Sequence, residues 1–219
     1  MERSEKLLSR TQSVLVLVDL QDAFLRHIKV AELITEHAQL LVKVGRELNV
    51  PIIATTQNAT KLGILTAPLS LCLQGVPTFD KLTFSAVAQE GFARHLQSLN
   101  RTQVVLAGVE THICVMQTAL DLLKAGYSVH VPYDAVASRQ KRDWKYALMR
   151  LSAAGATITS VESVIYEWLH EAGTDEFRHV LPLLKAREQA RLKEDSDDEE
   201  ETSNDETIDG EDFEEQSTD

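Results

Sequence analysis

The stretch that decides the fold is Gln103-Val104-Val105-Leu106-Ala107-Gly108-Val109-Glu110-Thr111-His112-Ile113-Cys114-Val115. Its first part, up to Ala107, is typical of a buried strand; the chain then turns at Gly108, and a helical pattern follows. That pattern ends at Gly126, a residue type that readily adopts the left-handed conformation after a helix. A strand, a sharp turn and a helix in this order form the repeating unit of an α/β fold.

Similar apolar runs recur along the chain, and helical patterns separate them. The runs are Val14–Val18, Pro51–Thr56, the weak Val76–Thr78, Gln103–Ala107, Tyr127–Pro132 and Ala156–Thr159. Alternation at this spacing predicts an α/β, three-layer, Rossmann-like fold, with a mainly parallel six-stranded sheet and helices on both faces. In such folds the ligand site lies beyond the carboxyl ends of the strands.

Three polar side chains stand at predicted carboxyl ends of strands. Asp19 follows the first strand, Gln57 follows the second, and Cys114 begins the helix after Gly108. Free backbone N–H groups at the start of a helix favour a thiolate, so Cys114 is a candidate nucleophile. The local sequence fits a cysteine that only packs in the core equally well.

The charge of the chain is unevenly distributed. The formal net charge is −12, but residues 194–219 contain fifteen Asp or Glu and neither Lys nor Arg. Residues 1–193 are close to neutral, with nineteen acidic and twenty-two basic side chains. A basic stripe is not expected, so the sequence predicts no nucleic-acid partner and no membrane partner.

Composition also predicts the domain organisation and the compartment. Residues 1–187 suit one globular domain, whereas residues 188–219 form an acidic tail too poor in apolar residues to fold. Cys72 and Cys114 make neither a disulfide framework nor a zinc site, which favours a reducing compartment. The sequence lacks an apolar run of roughly 18 residues and a secretory signal. We therefore expect a cytoplasmic protein, with a mitochondrial or nuclear location left open.

Three motifs carry a resemblance to a known family. They are Leu17–Phe24, Phe79–Ala86 and Gly108–Val115. In order and separation they resemble the opening, lysine and cysteine motifs of the isochorismatase-like cysteine hydrolases, over roughly residues 10–185. The Ser138-Arg139 turn and the stretch Ala154–Val164 also resemble the subgroup of isochorismatase domain-containing protein 2 and its bacterial relatives.

The resemblance implies a catalytic triad. In that scheme Asp19 accepts the thiol proton and later protonates the leaving amine, and Lys81 supports the ionised pair. Cys114 forms a thioacyl intermediate that water hydrolyses. The oxyanion would be bound by the backbone N–H groups of Ile113 and Cys114.

The same resemblance suggests the surroundings of the substrate. We expect the pocket to involve Phe24, Gln57, Phe84, Val109 and Glu110. The side chain of Glu110 could equally well meet solvent. The resemblance also implies a cis peptide bond between Val109 and Glu110.

Two departures from relatives narrow the chemistry. Family members that hydrolyse nicotinamide hold a metal with an Asp and two His near the second strand, whereas residues 55–61 contain neither Asp nor His. The resemblance therefore implies no metal and no other cofactor, and it argues against nicotinamidase activity. Siderophore-pathway members typically lack the cysteine that this chain keeps at position 114. This favours hydrolysis of a small amide-like (C–N) or acyl substrate over vinyl-ether cleavage.

Other interpretations stay open at this stage. These folds commonly assemble, so we expect a homo-oligomer, and its surface or the acidic tail could serve a catalytically silent interaction module. A Cys–His dyad would need a distant histidine such as His130, because His112 and Cys114 do not face each other on a helix. Cys72 is expected to be a packing residue. The sequence favours a cysteine hydrolase of a small-molecule substrate, whose identity it does not give.

Overall fold

Seven strands form one sheet in residues 3–186, the part of the chain that the computed structural model describes. The strands are β1 (Ser13–Val18), β2 (Ile52–Gln57), β3 (Thr78–Lys81), β4 (Gln103–Val109), β5 (Ser128–Pro132), β6 (Val136–Ala137) and β7 (Thr157–Thr159). Six lie in the order β3-β2-β1-β4-β5-β7, and β6 pairs with β4. These pairings are all parallel. The predicted α/β fold with a mainly parallel sheet is confirmed.

Helices connect the strands and cover the sheet on both faces. They are α1 (Asp22–Leu25), α2 (Ala31–Glu47), α3 (Ala59–Leu62), α4 (Ala67–Cys72), α5 (Glu90–Ser98), α6 (Met116–Lys124), α7 (Lys141–Ala153) and α8 (Val161–Leu169). Alternate residues of β1 point to opposite faces, as in any strand. Val14, Val16 and Val18 join the apolar cluster that includes α5, α6 and α7. On the other face, α2 packs against β1 and α8.

The chain divides into two units, Met1–Phe177 and Arg178–Asp219. The first unit contains the whole sheet and helices α1 to α8. Of the second unit, the structure describes residues 178–186, which are helical. The acidic tail predicted at residues 188–219 lies outside the described residues. Among the helices of residues 3–186, none is long and apolar enough to cross a membrane.

The third strand is predicted at Val76–Thr78, whereas β3 runs from Thr78 to Lys81. Two further features of the sheet differ from the sequence prediction. The sequence predicts six strands, and the seventh, β6, has only Val136 and Ala137, too few residues to show an alternating pattern. The sequence also ends the fourth strand at Ala107, whereas β4 continues through Gly108 to Val109. Both differences lie at the edge of the sheet where polar side chains gather.

Gly108 allows β4 to approach β1 at this edge. In the register of the sheet Gly108 lies beside Val18, and its φ is +125°. A Cβ atom at position 108 would lie 2.1 Å from the carbonyl oxygen of Val18. Only glycine fits such an approach, and it also tolerates a positive φ. The carboxyl ends of β1 and β4 therefore lie side by side.

Candidate active site

The carboxyl ends of β1, β2 and β3 bring three polar side chains to one place. Asp19 follows β1, while Gln57 and Lys81 end β2 and β3 and lie beside each other in the sheet. Asp19 has a left-handed backbone with φ of 52°. Aspartate tolerates this conformation better than most residues, because its short polar side chain can hydrogen-bond locally.

A buried ion pair lies at the centre of this edge. Lys81 Nζ donates to Asp19 Oδ2 at 2.6 Å, and both side chains are fully buried. The ammonium also donates to Gln57 Oε1 at 2.7 Å and to the carbonyl oxygen of Thr83 at 3.3 Å. Thr55 Oγ1 donates to Asp19 Oδ1 at 2.7 Å. A buried ion pair is tolerated only when further hydrogen bonds satisfy both ions, and these contacts do so.

Hydrogen bonds to neighbouring residues fix the orientation of Gln57. Its Nε2 donates to the carbonyl oxygen of Leu82 at 2.9 Å, so its Oε1 faces Lys81. Its backbone N–H donates to Gln21 Oε1 at 2.7 Å, and Gln21 Nε2 donates to the carbonyl oxygen of Gly63 at 2.6 Å. Both ends of the Gln57 amide are occupied. Gln57 therefore positions Lys81, a role that the sequence prediction of a pocket amide did not include.

Cys114 lies in a wide, π-type turn, Thr111–Val115, between β4 and α6. The peptide bond between Val109 and Glu110, just before this turn, is cis. Burial raises the pKa of the Cys114 thiol to about 12; the Asp19 carboxylate acts in the same direction, and the Lys81 ammonium acts against it.

The protonation state of Cys114 corrects the sequence prediction. A helix start is expected to favour the thiolate, but here burial disfavours the charged sulfur more strongly than its surroundings stabilise it. Burial therefore favours the neutral thiol over the thiolate. A thiol with a raised pKa can act as a nucleophile only when a base accepts its proton.

The predicted oxyanion donors lie in the same turn. The backbone N–H of Ile113 donates to the carbonyl oxygen of Glu110 at 3.0 Å, and that of Val115 donates to the same oxygen at 3.3 Å. The N–H of Ile113 could therefore donate to an oxyanion only as a shared donor, because it already donates to the carbonyl oxygen of Glu110. The backbone of Cys114 belongs to the same turn.

The apolar residues predicted for the pocket differ in exposure. Phe84, in the loop after β3, is 53% exposed, and Leu82 beside it is exposed as well. Phe24 is half-buried in α1. Val109 is fully buried at the end of β4, so its side chain presents no surface to a bound molecule.

Glu110 is buried and pairs with Arg139. Glu110 Oε2 accepts from the backbone N–H of Arg139 at 2.9 Å and from its Nε at 3.1 Å. Of the two roles that the sequence left open for Glu110, exposure to solvent is wrong. Arg139 follows β6, the strand that the sequence did not show, and no local signal predicts this pair.

The remaining candidates from the sequence contact other residues than Asp19, Lys81 and Cys114. His130 is buried in β5, where burial lowers its pKa to about 4, and its Nε2 lies 3.2 Å from Ser128 Oγ. His112 Nδ1 lies 2.9 Å from Ser138 Oγ. Cys72 is half-buried in α4. None of these contacts links a histidine to Cys114.

The end of β2 carries hydroxyl and amide groups. Thr55 and Gln57 are engaged with the ion pair, and Thr56 Oγ1 donates to Asp80 Oδ1 at 2.9 Å. Within residues 3–186, no group of three or more His, Cys, Asp or Glu is arranged to hold a metal ion.

Comparison with known proteins shows the family of this chain. Residues 13–163 match the family described as Isochorismatase domain. The chain belongs to the isochorismatase family. The resemblance inferred from the three motifs is thereby confirmed, and members of this family are typically hydrolases.

Relatives within the isochorismatase family cover most of the chain. Isochorismatase domain-containing protein 2 of Bos taurus is 40% identical over 177 residues, which are 79% of this chain and 83% of the relative. The solved structure of MAR1 ribonuclease from Caenorhabditis elegans has a TM-score of 0.77 and 34% identity, and covers 81% of this chain and 91% of that one.

A more distant structure shares the fold. The YcaC gene product of Escherichia coli, described as an octameric hydrolase of unknown specificity, has a TM-score of 0.75 and 22% identity. The match covers 86% of this chain and all of that chain, 100%. At this identity the likeness shows the isochorismatase fold alone.

Proposed function

We propose that this protein is a metal-independent cysteine hydrolase that cleaves a small amide-like (C–N) or acyl substrate through a thioacyl intermediate on Cys114. The observation that carries the proposal is the buried Asp19–Lys81 pair, 2.6 Å apart, which acts on the pKa of the Cys114 thiol. Strongly perturbed pKa values beside a paired charge are concentrated at functional sites.

The chemistry begins with a proton transfer. Because burial raises the pKa of Cys114 to about 12, the thiol needs a general base, and Asp19 is the carboxylate beside it. The sulfur forms a bond to the substrate carbonyl carbon while its proton moves to Asp19. The electron pair of the C=O double bond moves onto oxygen, so the negative charge passes from Asp19 to that oxygen, and Lys81 stays charged beside the neutral carboxyl of Asp19.

The second half of the cycle returns that proton. The carbonyl oxygen becomes an oxyanion, which the N–H groups of Cys114 and Ile113 would stabilise. The carbonyl re-forms as the C–N bond breaks, and Asp19 protonates the leaving amine. Water then attacks the thioester and gives one proton to Asp19; the C–S bond breaks, Asp19 returns the proton to the sulfur of Cys114, and the acid product leaves.

Independence from a metal is supported by the groups at the end of β2. The hydroxyl of Thr55 and the amide of Gln57 already serve Asp19 and Lys81. Neither side chain is a strong ligand for zinc or another transition metal.

We also propose that the protein forms a homo-oligomer. The octameric relative from Escherichia coli supports this, as do large apolar side chains that are exposed, among them Ile64, Leu71, Leu82 and Phe84. Size-exclusion chromatography with light scattering should give a mass of two or more chains. A monomer at micromolar concentration would contradict it.

The cytoplasmic location stays a prediction of the sequence.

The activity is tested by a screen of small amides, ureides and esters. The full-length chain, Cys114→Ala and Cys72→Ala are compared on each compound. We expect hydrolysis of at least one class by the wild type and by Cys72→Ala, and none by Cys114→Ala. Equal rates in the wild type and Cys114→Ala would sink the proposal. No turnover and no covalent adduct with any compound would instead favour the silent interaction module.

A further inference from the structure

The side of Cys114 away from the Asp19–Lys81 pair is built by β6. Gly108 lies beside Val136 and Val109 beside Ala137, so the residues after β4 and β6 emerge together at the same edge of the sheet. Arg139 therefore borders the turn that holds the nucleophile. This part of the site is not used in the proposed proton transfers.

The guanidinium of Arg139 has unused donors. Its Nε and its backbone N–H donate to Glu110, which is 6% exposed, whereas the Arg139 side chain is 56% exposed. Among the contacts within residues 3–186, the two terminal nitrogens of Arg139 have no hydrogen-bond or ion-pair partner. A guanidinium held through Nε still presents its terminal nitrogens, a planar fork that matches a carboxylate.

The other cation near the nucleophile cannot take an external anion. Lys81 is fully buried, and its ammonium already donates to Asp19, Gln57 and Thr83. An ammonium has three donors, and all three are in use. Arg139, in contrast to Lys81, has unused donors and can meet a charged substrate.

We propose that Arg139 binds a carboxylate of the substrate, and hence that the enzyme hydrolyses small amides or ureides that carry a carboxylate near the scissile bond. This rests on the proposed function, because it places the substrate against Cys114. Glu110 acts as a positioning residue: it holds Nε and fixes the direction of the terminal nitrogens. The ion pair also keeps the empty site close to neutral.

Alkylation of Cys114 tests the proposal without a known substrate. Iodoacetate and iodoacetamide have similar size and reaction, but only the first carries a carboxylate. Their rates with Cys114 are measured by peptide mass spectrometry at the same pH, in the full chain with Cys72→Ala. The readout is the ratio of the two rates in the parent, in Arg139→Gln and in Arg142→Gln. Arg142 is an exposed arginine on α7 and serves as the matched control.

We expect Arg139→Gln to lower the iodoacetate-to-iodoacetamide ratio by about tenfold, the effect of losing one charge-assisted hydrogen bond. Arg142→Gln should change the ratio less than about twofold, since an exposed charge is screened. Glu110→Gln, which leaves Arg139 charged, should keep or raise the ratio.

Three results would overturn the inference. If Arg139→Gln changes both rates equally, Arg139 only supports the turn, and Cys114 keeps its proposed role. If neither reagent modifies Cys114 in the parent protein, Arg139 does not bring a carboxylate to Cys114 and the inference fails, whereas the proposed function is decided separately by the hydrolysis screen. If Arg142→Gln lowers the ratio as much as Arg139→Gln does, the effect comes from general surface charge, and the inference is overturned.

Discussion

The two sides of Cys114 are built in opposite ways. The closed side consists of four buried side chains, namely Asp19, Thr55, Gln57 and Lys81. Each of them hydrogen-bonds to another member of the group. The open side consists of Glu110 and Arg139, where a buried carboxylate holds a guanidinium that is half in solvent.

This difference separates two tasks. A dry, fully paired group can hold a proton-transfer geometry, because electrostatic interactions are stronger away from water. A half-exposed cation with unused donors can meet a molecule that arrives from solvent. The closed side is therefore suited to the chemistry and the open side to recognition. Changes on each side should affect different measurements.

The largest effect is expected for Asp19→Asn on the closed side. Loss of the general base should lower hydrolysis by about 10³-fold. Alkylation of Cys114 at a fixed pH should become faster, because the Asp19 carboxylate raises the thiol pKa and Lys81 lowers it. Asparagine also tolerates the left-handed backbone at this position. Hydrolysis and iodoacetamide rates are measured on the same preparation.

Asp22→Asn is the matched control, since Asp22 is an exposed carboxylate in the neighbouring α1. It should leave both rates unchanged. Slower alkylation in Asp19→Asn would contradict the influence of Asp19 on the thiol, and unchanged hydrolysis would remove Asp19 as the base.

The close approach of β4 to β1, the strands that lead to the two sides, depends on Gly108. We expect Gly108→Ala to destabilise the fold by more than about 3 kcal/mol, because a side chain there meets the Val18 carbonyl as well as an unfavourable positive φ. Gly126→Ala is the control: its φ is +91° and a Cβ would meet nothing within 4 Å. It should cost about 1 kcal/mol. Equal losses in urea unfolding would show that the close approach to β1 does not matter.

His130 should make the stability of the fold depend on pH, and it is part of neither side of Cys114. Burial lowers its pKa to about 4, from about 6.5 in the unfolded chain. The unfolded state thus binds a proton first as the pH falls. Stability should decrease between about pH 6.5 and pH 4, by at most about 3 kcal/mol, and this loss should level off below that range. In His130→Gln, urea unfolding across this range should lack that part of the decrease; an unchanged profile would refute the assignment.

The smallest effect separates two adjacent threonines. Thr55 donates to Asp19, whereas Thr56 donates to Asp80, outside the triad. Thr55→Val should lower kcat by about tenfold, because Asp19 loses one hydrogen bond that orients it. Thr56→Val should leave kcat unchanged. Similar kcat values for the two variants would mean that the hydroxyl of Thr55 does not position the base.

Much of the closed side could be predicted from the sequence. Asp19 and Gln57 follow apolar runs, and parallel strands bring their carboxyl ends together, while the lysine motif supplied Lys81. The hydroxyl of Thr55 could not be predicted, since its contact with Asp19 depends on the pairing of β1 and β2. The thiol pKa also depends on packing, because burial around Cys114 outweighs the helix start.

The open side was missed for a different reason. Arg139 reaches Glu110 only because β6 pairs with the end of β4, and two residues make no recognisable strand pattern. The sequence offered the Ser138-Arg139 turn as part of a family resemblance but gave it no contact. Long-range contacts of this kind come from the register of the sheet.

The role of Cys114 as nucleophile is tested most directly by trapping the acyl-enzyme. The full chain is mixed with p-nitrophenyl acetate, quenched in acid during turnover and mapped by mass spectrometry. We expect an acetyl group on Cys114 that hydroxylamine removes, as it removes a thioester, and that is absent from Cys114→Ala. Turnover of the same ester at the wild-type rate by Cys114→Ala, or acetylation of another residue only, would contradict it.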